Sequence, residues 1–242
     1  MNAELSGLYI EQLLTVFAHR HMISAELWLI PASPDMDAVT EIWHQDVYKL
    51  PEHFHTVLDI GAHKGIFSVF CALRGAEVQA YEPHPRSYQT LSQNIAQNSL
   101  ADRVHLHPLA VWSSPRTLQL HDTPGQNRGS CSVYHDNGVV CNNALCDDTY
   151  TVVGEDFDAI IHNLPAWDVV KMDCEGAEFD ILLSATPAAL RKIRYLTMEV
   201  HHGRFGDIAY HSLIRKLEKF FIIDGQDNTG CGKYDYIYAR AK

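Results

Sequence analysis

The stretch that most constrains the fold is a short apolar run followed by a turn with two glycines. Residues 56–60 read TVLDI, which is typical of a strand that is buried on both faces of a sheet. Gly61 and Gly65 then mark a tight turn, and an apolar-periodic segment follows. A helix that starts here would point unpaired N–H groups at the turn, where glycines let a ligand approach the backbone. The sequence therefore predicts a strand, a ligand-binding loop and a helix.

Two acidic residues accompany this loop. Asp59 lies near the end of the predicted strand, and we expect it to face the ligand crevice. Glu82 follows the next apolar run and lies 23 residues after Asp59. An acid about 20 residues beyond such a loop, at the tip of the second strand, is placed to hydrogen-bond ribose hydroxyls. The loop reads G-x-x-x-G rather than G-x-G-x-x-G, which favours a nucleoside over a pyrophosphate. The alternative is a capping role for Asp59 and a tight turn without ligand.

From residue 56 onward, strands and helices alternate, as in a parallel sheet with helices on both faces. Strands are predicted at 56–60, 77–81, 104–107, 167–172, 195–200, 220–223 and 234–239, with helices near 66–73, 86–98, from 177 and at 208–219. The last two strands are joined by a glycine-rich loop too short for a crossover helix, so we expect them to be antiparallel. Residues 121–150 carry turn residues and weak periodicity, which predicts a loop or small excursion.

Four segments of the chain resemble the FkbM family of S-adenosylmethionine-dependent methyltransferases. They are VLDIGAxxG from Val57, YEPxP from Tyr81, NIxxN from Asn94 and KMDCEGAE from Lys171. Many class I methyltransferases share the first three, whereas the fourth is the specific one. The resemblance runs from about residue 31 to 242. It implies an α/β, doubly wound, mostly parallel seven-stranded sheet with a C-terminal antiparallel strand, and S-adenosyl-L-methionine as the cofactor.

The resemblance also implies which residues meet the cofactor. Gly61, His63 and Gly65 would meet its methionine part, Glu82 (with Pro83 beside it) the ribose, and Leu109 and Ala110 the adenine. We expect residues 51–242 to form this S-adenosylmethionine-binding domain. Residues 1–50 are expected to form a helical extension, because apolar residues recur at spacings of three and four near the N-terminus. That helix could cap the core or join two chains in a homo-oligomer.

A second group of polar residues is predicted at the ends of two later strands. Asp173 and Glu175 alternate at the end of one strand, and Glu199 and His201 alternate at the end of the next. If those strands are neighbours, the four side chains converge, and crowded carboxylates raise one another's pKa. We expect Asp173 or His201 to act as the base, with Glu175 and Glu199 orienting the acceptor. The alternative is a divalent cation bound by the same carboxylates and His201; we assign no metal ligand from the sequence.

The charge and composition of the chain limit the classes of partner that we expect it to bind. The net charge is −11 and no basic run occurs, which argues against nucleic acid as a partner. No apolar run reaches the length of a membrane helix, and nothing at the N-terminus is typical of a signal peptide, so we expect a cytoplasmic location and no membrane partner. The six cysteines form no C-x-x-C pair, which disfavours a zinc site and favours reduced thiols.

These expectations lead to one favoured function and two alternatives. The favoured function is O-methylation of a hydroxyl on a small molecule; the acceptor class, a sugar or natural-product (secondary-metabolite) scaffold, comes from the resemblance alone. The first alternative is an oxidoreductase that uses NAD in a similar sheet, against which the missing third loop glycine and the antiparallel hairpin argue. The second is a cofactor-binding scaffold module without catalysis.

Overall fold

The computed structural model describes residues 38–121, 132, 149–202, 205–228 and 234–242, and ten strands are found there. In chain order they are β1 Thr56–Ile60, β2 Glu77–Tyr81, β3 Val104–His107, β4 Ala110–Trp112, β5 Arg116–His121, β6 Thr149–Asp156, β7 Trp167–Met172, β8 Ile193–Val200, β9 Phe221–Asn228 and β10 Asp235–Ala241. Seven of them form the main sheet in the order β3-β2-β1-β7-β8-β10-β9. Strand β10 runs antiparallel to β8 and β9, and the other pairings are parallel. The doubly wound fold and its reversed last strand are confirmed.

Four of the α-helices in the described residues correspond to predicted ones, whereas two short helices, at 157–162 and 187–190, were not predicted. The α-helices are α1 Ile66–Leu73, α2 Pro85–Gln97, α3 Phe157–His162, α4 Ala177–Ser184, α5 Pro187–Leu190 and α6 Gly206–Leu217, and a π-helical turn at Thr40–His44 precedes the sheet. Strands β1, β2, β3 and β7 and helix α1 begin and end at the predicted residues.

The central strands are buried on both faces, which explains why apolar runs marked them so well. In β1, Leu58 packs into the apolar core on one face of the sheet, while Val57 packs into the core on the other. Both side chains are completely buried.

A second, three-stranded sheet was not predicted. Its order is β4-β6-β5, with β4 parallel to β6 and β5 antiparallel to it. The expectation of a loop over residues 121–150 concerns residues that are mostly outside the described part of the chain, apart from Ser132, which bridges to His121.

The segment before β1 packs onto the main sheet. Val39, Trp43 and Tyr48 are buried in the same core as Val57. Tyr48 packs edge-on against Phe67 of α1. The amphipathic helix expected near the N-terminus lies outside the described residues. Within the described ranges, no helix combines the length and the apolarity that crossing a membrane requires.

The loop after β1 passes very close to the end of β7. Gly61 has φ +76°, and a Cβ atom there would lie 1.8 Å from the carbonyl oxygen of Asp173. Only glycine fits this position, since both the backbone conformation and the space exclude a side chain.

We predict that Gly61→Ala lowers the free energy of unfolding by about 2–4 kcal/mol, because the strained φ and the clash with the backbone add. Gly75→Ala is the matched control: its φ is +92°, but nothing lies within 4 Å of the added Cβ. Its cost should be about 1 kcal/mol, from the left-handed conformation alone. Urea unfolding of both variants checks this, and equal losses would contradict a role for the close approach.

Candidate active site

The carboxyl ends of the parallel strands meet at one edge of the sheet, where β1 lies between β2 and β7. Ligands of open α/β sheets bind at such an edge, where the strand order reverses. The loop after β1 is fixed there by its neighbours. The N–H groups of Gly61 and Ala62 donate to the carbonyl oxygen of Tyr81, each at 3.0 Å. The side-chain amide of Asn94 in α2 donates to the carbonyl oxygen of Lys64 at 2.7 Å.

Glu82 connects this loop to the tip of β2. Its carboxylate accepts hydrogen bonds from the backbone N–H of His63 at 2.7 Å and of His84 at 2.8 Å. Burial raises the pKa of Glu82 to about 7, although those two hydrogen bonds favour the charged form. The acid predicted to meet a ribose therefore lies directly against the glycine loop. Among the other predicted cofactor residues, Pro83 and Leu109 are partly exposed, whereas Ala110 is buried at the start of β4.

Asp59 does not face the crevice, contrary to the sequence-based expectation. Its side chain is completely buried and accepts a hydrogen bond from the Ser68 hydroxyl at 2.6 Å. The ammonium group of Lys171 lies 3.3 Å from its other oxygen. A buried carboxylate needs such a partner, so Asp59 is a counter-ion to Lys171 inside the sheet.

Lys171 joins the two halves of the site. Its ammonium group donates to the carbonyl oxygen of Gly61 at 2.8 Å and lies 3.8 Å from Asp173. Burial alone would lower the pKa of Lys171, but the charges of Asp59 and Asp173 raise it instead. The lysine is therefore a fixed cation beneath the loop.

The four residues predicted at the ends of β7 and β8 do converge. The Nε2 atom of His201 lies 3.1 Å from Glu199 and 3.4 Å from Glu175. Its Nδ1 atom lies 3.4 Å from Glu178. Asp173, Glu199 and His201 each offer a ligand atom within 4.8 Å of the others, so these three could hold a metal ion.

The carboxylates set the charge of His201. Burial alone would lower its pKa, but the hydrogen bonds with Glu178 and Glu199 and the charge of Glu175 raise it well above the ordinary value. The surrounding carboxylates therefore favour a positive charge at His201, carried by a proton or by another cation.

The carboxylates around it also share their environment. Burial, opposed by the charge of His201, raises the pKa of Glu175 to about 8, so this group is mostly protonated at neutral pH. Burial and the charge of Asp173 raise the pKa of Glu199, against its hydrogen bonds with His201 and Tyr236.

Asp173 lies between the cluster and the loop. Its side chain is 29% exposed, and its carboxylate accepts a hydrogen bond from the Tyr48 hydroxyl at 3.3 Å. Its nearest cation is Lys171. Asp173 is therefore an accessible carboxylate at the point where the cofactor loop and the cluster meet.

Sequence reasoning missed two members of this site. Glu178 lies in the first turn of α4, where an acidic residue is commonly only a helix cap, yet its side chain is completely buried and contacts His201. The spacing of the DCEGAE segment, with Glu178 three residues after Glu175, was the available signal. Tyr48 is 125 residues away from Asp173 in the chain, and no local pattern connects them.

Residues 59–228 match the Methyltransferase FkbM domain family. The hexuronic acid methyltransferase AglP of Haloferax volcanii is 27% identical over 201 residues, which cover 77% of this chain and 77% of AglP. The AMB antimetabolite synthetase AmbE of Pseudomonas aeruginosa is 28% identical over 236 residues, which cover 80% of this chain but only 11% of AmbE.

Among solved structures, the methyltransferase FkbM from Methylobacillus flagellatus aligns with a TM-score of 0.50 at 18% identity. The alignment covers 77% of this chain and 43% of that one. The chain thus spans less than half of this solved relative. At this identity the likeness concerns the fold, and it agrees with the sheet order observed here.

We predict that Lys171→Met destabilises the protein by about 3–5 kcal/mol, because it leaves Asp59 charged and buried without a partner. Adding Asp59→Asn to Lys171→Met should recover part of the loss, since the uncompensated charge is then removed. The exposed pair Arg240–Asp224 provides the control, and Arg240→Met should cost about 0–1 kcal/mol. Chemical unfolding of the four proteins measures this; a double variant as unstable as Lys171→Met would contradict the ion-pair argument.

Proposed function

The chain belongs to the FkbM methyltransferase family, and on that premise we propose that it transfers a methyl group from S-adenosylmethionine to a hydroxyl group of a sugar or natural-product scaffold. The observation that carries the proposal is the junction of two groups of residues. The Glu82 carboxylate lies against the glycine loop, and Asp173 lies beside that loop's first glycine. A nucleoside site and an acid–histidine cluster therefore share one edge of the sheet.

The cofactor role of each residue follows from its place at this edge. Glu82 would accept the ribose hydroxyls, and the loop from Gly61 to Gly65 would face the methionine part. Pro83 and Leu109, both partly exposed, would border the base with Ala110 behind them. Asp59 would act indirectly, by holding Lys171 against the carbonyl oxygen of Gly61.

The reaction would be an in-line displacement at the methyl carbon. The acceptor oxygen forms a bond to the methyl carbon, the carbon–sulfur bond breaks, and its electron pair stays on sulfur to give neutral S-adenosylhomocysteine. The acceptor's proton goes to a base, and positioning the two reactants supplies most of the rate enhancement. Asp173 is the base we propose, because its carboxylate is partly exposed and lies beside the glycine loop, whereas Glu175, whose pKa burial raises to about 8, is mostly protonated at neutral pH. Glu199 and His201 would orient the acceptor hydroxyl.

The charge of the cluster bears on the acceptor. An anionic group placed among these carboxylates would be repelled, whereas hydroxyl groups can donate to them. A hydroxyl-bearing sugar fits this surrounding. AglP is named for a sugar acid, and of such an acceptor the hydroxyl groups, not the carboxylate, would lie against the cluster. A natural-product hydroxyl fits equally well.

Two alternatives make different predictions. An oxidoreductase that uses NAD is disfavoured by the missing third loop glycine and by the reversed strand β10. A scaffold module without catalysis would bind the cofactor but would not depend on Asp173.

The first experiment is calorimetric titration of the purified protein with S-adenosylmethionine, S-adenosylhomocysteine and NAD in parallel. We expect binding of the first two and none of NAD. Turnover is then measured by transfer of a labelled methyl group to a panel of hydroxylated sugars and natural products. Binding of NAD alone would overturn the proposal.

We predict that cofactor affinity rises about tenfold from pH 6 to pH 8, because the ribose hydroxyls donate to ionised Glu82, whose pKa is raised by burial to about 7. Below that pKa, Glu82 must lose a proton before it can accept hydrogen bonds from the ribose hydroxyls in its ionised form. Glu82→Gln should bind more weakly at pH 8, by about 1–3 kcal/mol, and should show no such pH dependence. Glu77→Gln, at the opposite end of the same strand, is the control and should behave as the unchanged protein. Titration with S-adenosylhomocysteine at each pH measures these affinities. If the affinity of Glu82→Gln depends on pH as that of the unchanged protein does, Glu82 does not bind the ribose.

We predict that Asp173→Asn retains S-adenosylhomocysteine binding but loses methyl transfer by at least about 100-fold, as expected for loss of a general base. Asp168→Asn is the control, because Asp168 also lies in β7 but at its amino end, where it bonds the backbone of Thr56. Single-turnover methyl transfer with the best acceptor measures both. Full activity of Asp173→Asn would assign the base elsewhere.

A further inference from the structure

Three ligand-type atoms meet where β7 and β8 end. They come from Asp173, Glu199 and His201 and lie within 4.8 Å of one another. Around an octahedral ion with bonds of about 2.1 Å, adjacent ligand atoms are roughly 3 Å apart and opposite ones roughly 4 Å apart. The 3.1 Å between Glu199 Oε1 and His201 Nε2 matches an adjacent pair. One of the three pairs therefore already has the spacing of adjacent ligands, and the third side chain is close by.

A buried carboxylate stands behind the histidine. Glu178 is completely buried, and its Oε1 atom lies 3.4 Å from His201 Nδ1 while accepting the N–H of Cys174 at 2.8 Å. Its Oε2 atom is also buried and has no hydrogen-bond partner among the described residues. Metal-binding histidines commonly donate their other ring N–H to such a carboxylate, which fixes the ring and makes it a better ligand. This arrangement leaves His201 Nε2 as the outward-facing ligand atom.

The two carboxylate ligands are held in the same way. The Tyr48 hydroxyl donates to Asp173, and the hydroxyl of Tyr236, which is paired with Glu199 across β8 and β10, hydrogen-bonds Glu199. Ligating carboxylates in metal sites are likewise oriented by hydrogen bonds from a surrounding shell.

Charge favours a cation here. The carboxylates of Asp173, Glu178 and Glu199 lie around the imidazole of His201, and Glu175, which is mostly protonated at neutral pH, lies beside it. The nearest other cation, Lys171, is closer to Asp59 than to Asp173 and also donates to the carbonyl oxygen of Gly61. Buried charges of one sign are costly unless they are paired or bind a metal.

We propose that Asp173, Glu199 and His201 bind one divalent metal ion, with Glu178 orienting the histidine. Two carboxylates and one imidazole suit a first-row ion such as Mn²⁺, which accepts oxygen and nitrogen ligands and leaves positions open for water or an alcohol. The role of the ion rests on the proposed function: it would hold the acceptor oxygen beside Asp173 and polarise its O–H bond.

The test is to treat the full chain with a chelator and then titrate it with Mn²⁺. Electron paramagnetic resonance measures the concentration of free Mn²⁺ at each step. We expect one bound ion per chain. Asp173→Asn, Glu199→Gln and His201→Gln should each weaken binding at least tenfold, and Glu178→Gln about tenfold as an orienting residue. The electron spin-echo signal of the bound Mn²⁺ should show modulation from a directly bound imidazole nitrogen in the unchanged protein. This modulation should be absent in His201→Gln.

Glu77→Gln is the matched control, because Glu77 also lies 3.8 Å from a histidine, His105, but on an exposed surface at the other end of β2. It should bind Mn²⁺ as the unchanged protein does. Binding of S-adenosylhomocysteine checks that each variant is folded, and Glu199→Asp replaces Glu199→Gln if the latter does not fold.

Absence of Mn²⁺ binding, or binding that Glu199→Gln and His201→Gln leave unchanged, would overturn the ion site. These outcomes differ from failure of the proposed function, which would show as absent S-adenosylmethionine binding whatever the metal does.

Discussion

The site depends on one buried cation. Lys171 is the fifth residue of β7, yet its ammonium group reaches Asp59 of β1 at 3.3 Å, the carbonyl oxygen of Gly61 at 2.8 Å and Asp173 at 3.8 Å. It thereby joins the cofactor loop to the strand end that carries the proposed base. A charged group in the middle of a sheet is tolerated only with such partners, and the partners in turn fix where the loop can lie. Because Gly61 has no Cβ atom, the backbone of the loop after β1 can closely approach the backbone at Asp173.

The parallel strands could be predicted from the sequence because their burial leaves a pattern within a short stretch of the chain. Strands β1 and β7 are buried on both faces, so each is a short, mostly apolar run bounded by polar residues or glycine. The small sheet lacks that signal. Strand β5 alternates between exposed and buried residues, and its partner β6 lies beyond residues 122–148 in the chain. Such a non-local pairing of half-exposed strands leaves little trace in either segment alone.

The candidate site was predictable to the same extent. Asp173 with Glu175, and Glu199 with His201, alternate at the ends of predicted neighbouring strands, and the pairing of β7 with β8 brings them together. The sequence did not indicate in which direction some of these side chains point. Asp59 sits in a strand buried on both faces, so its side chain points to Lys171 and Ser68 instead of the crevice. Glu178 fits a helix-cap pattern, and its contact with His201, 23 residues further along the chain, is not indicated by any local pattern in the sequence.

The charge of this edge has a consequence for methyl transfer. The reaction consumes a positive charge on sulfur, so surrounding carboxylates that stabilise the sulfonium also stabilise the ground state and thereby raise the barrier. Nearby cations reduce that effect, because they lower the negative potential while leaving hydrogen-bond acceptors in place. Lys171 is such a cation on the loop side, and protonated His201, or a metal ion in place of its proton, is one on the acceptor side. In the proposed reaction the arrangement would separate two tasks. Acidic groups would attract the sulfonium and bind hydroxyls, and fixed cations would keep the carboxylates from binding the reactants too tightly to react.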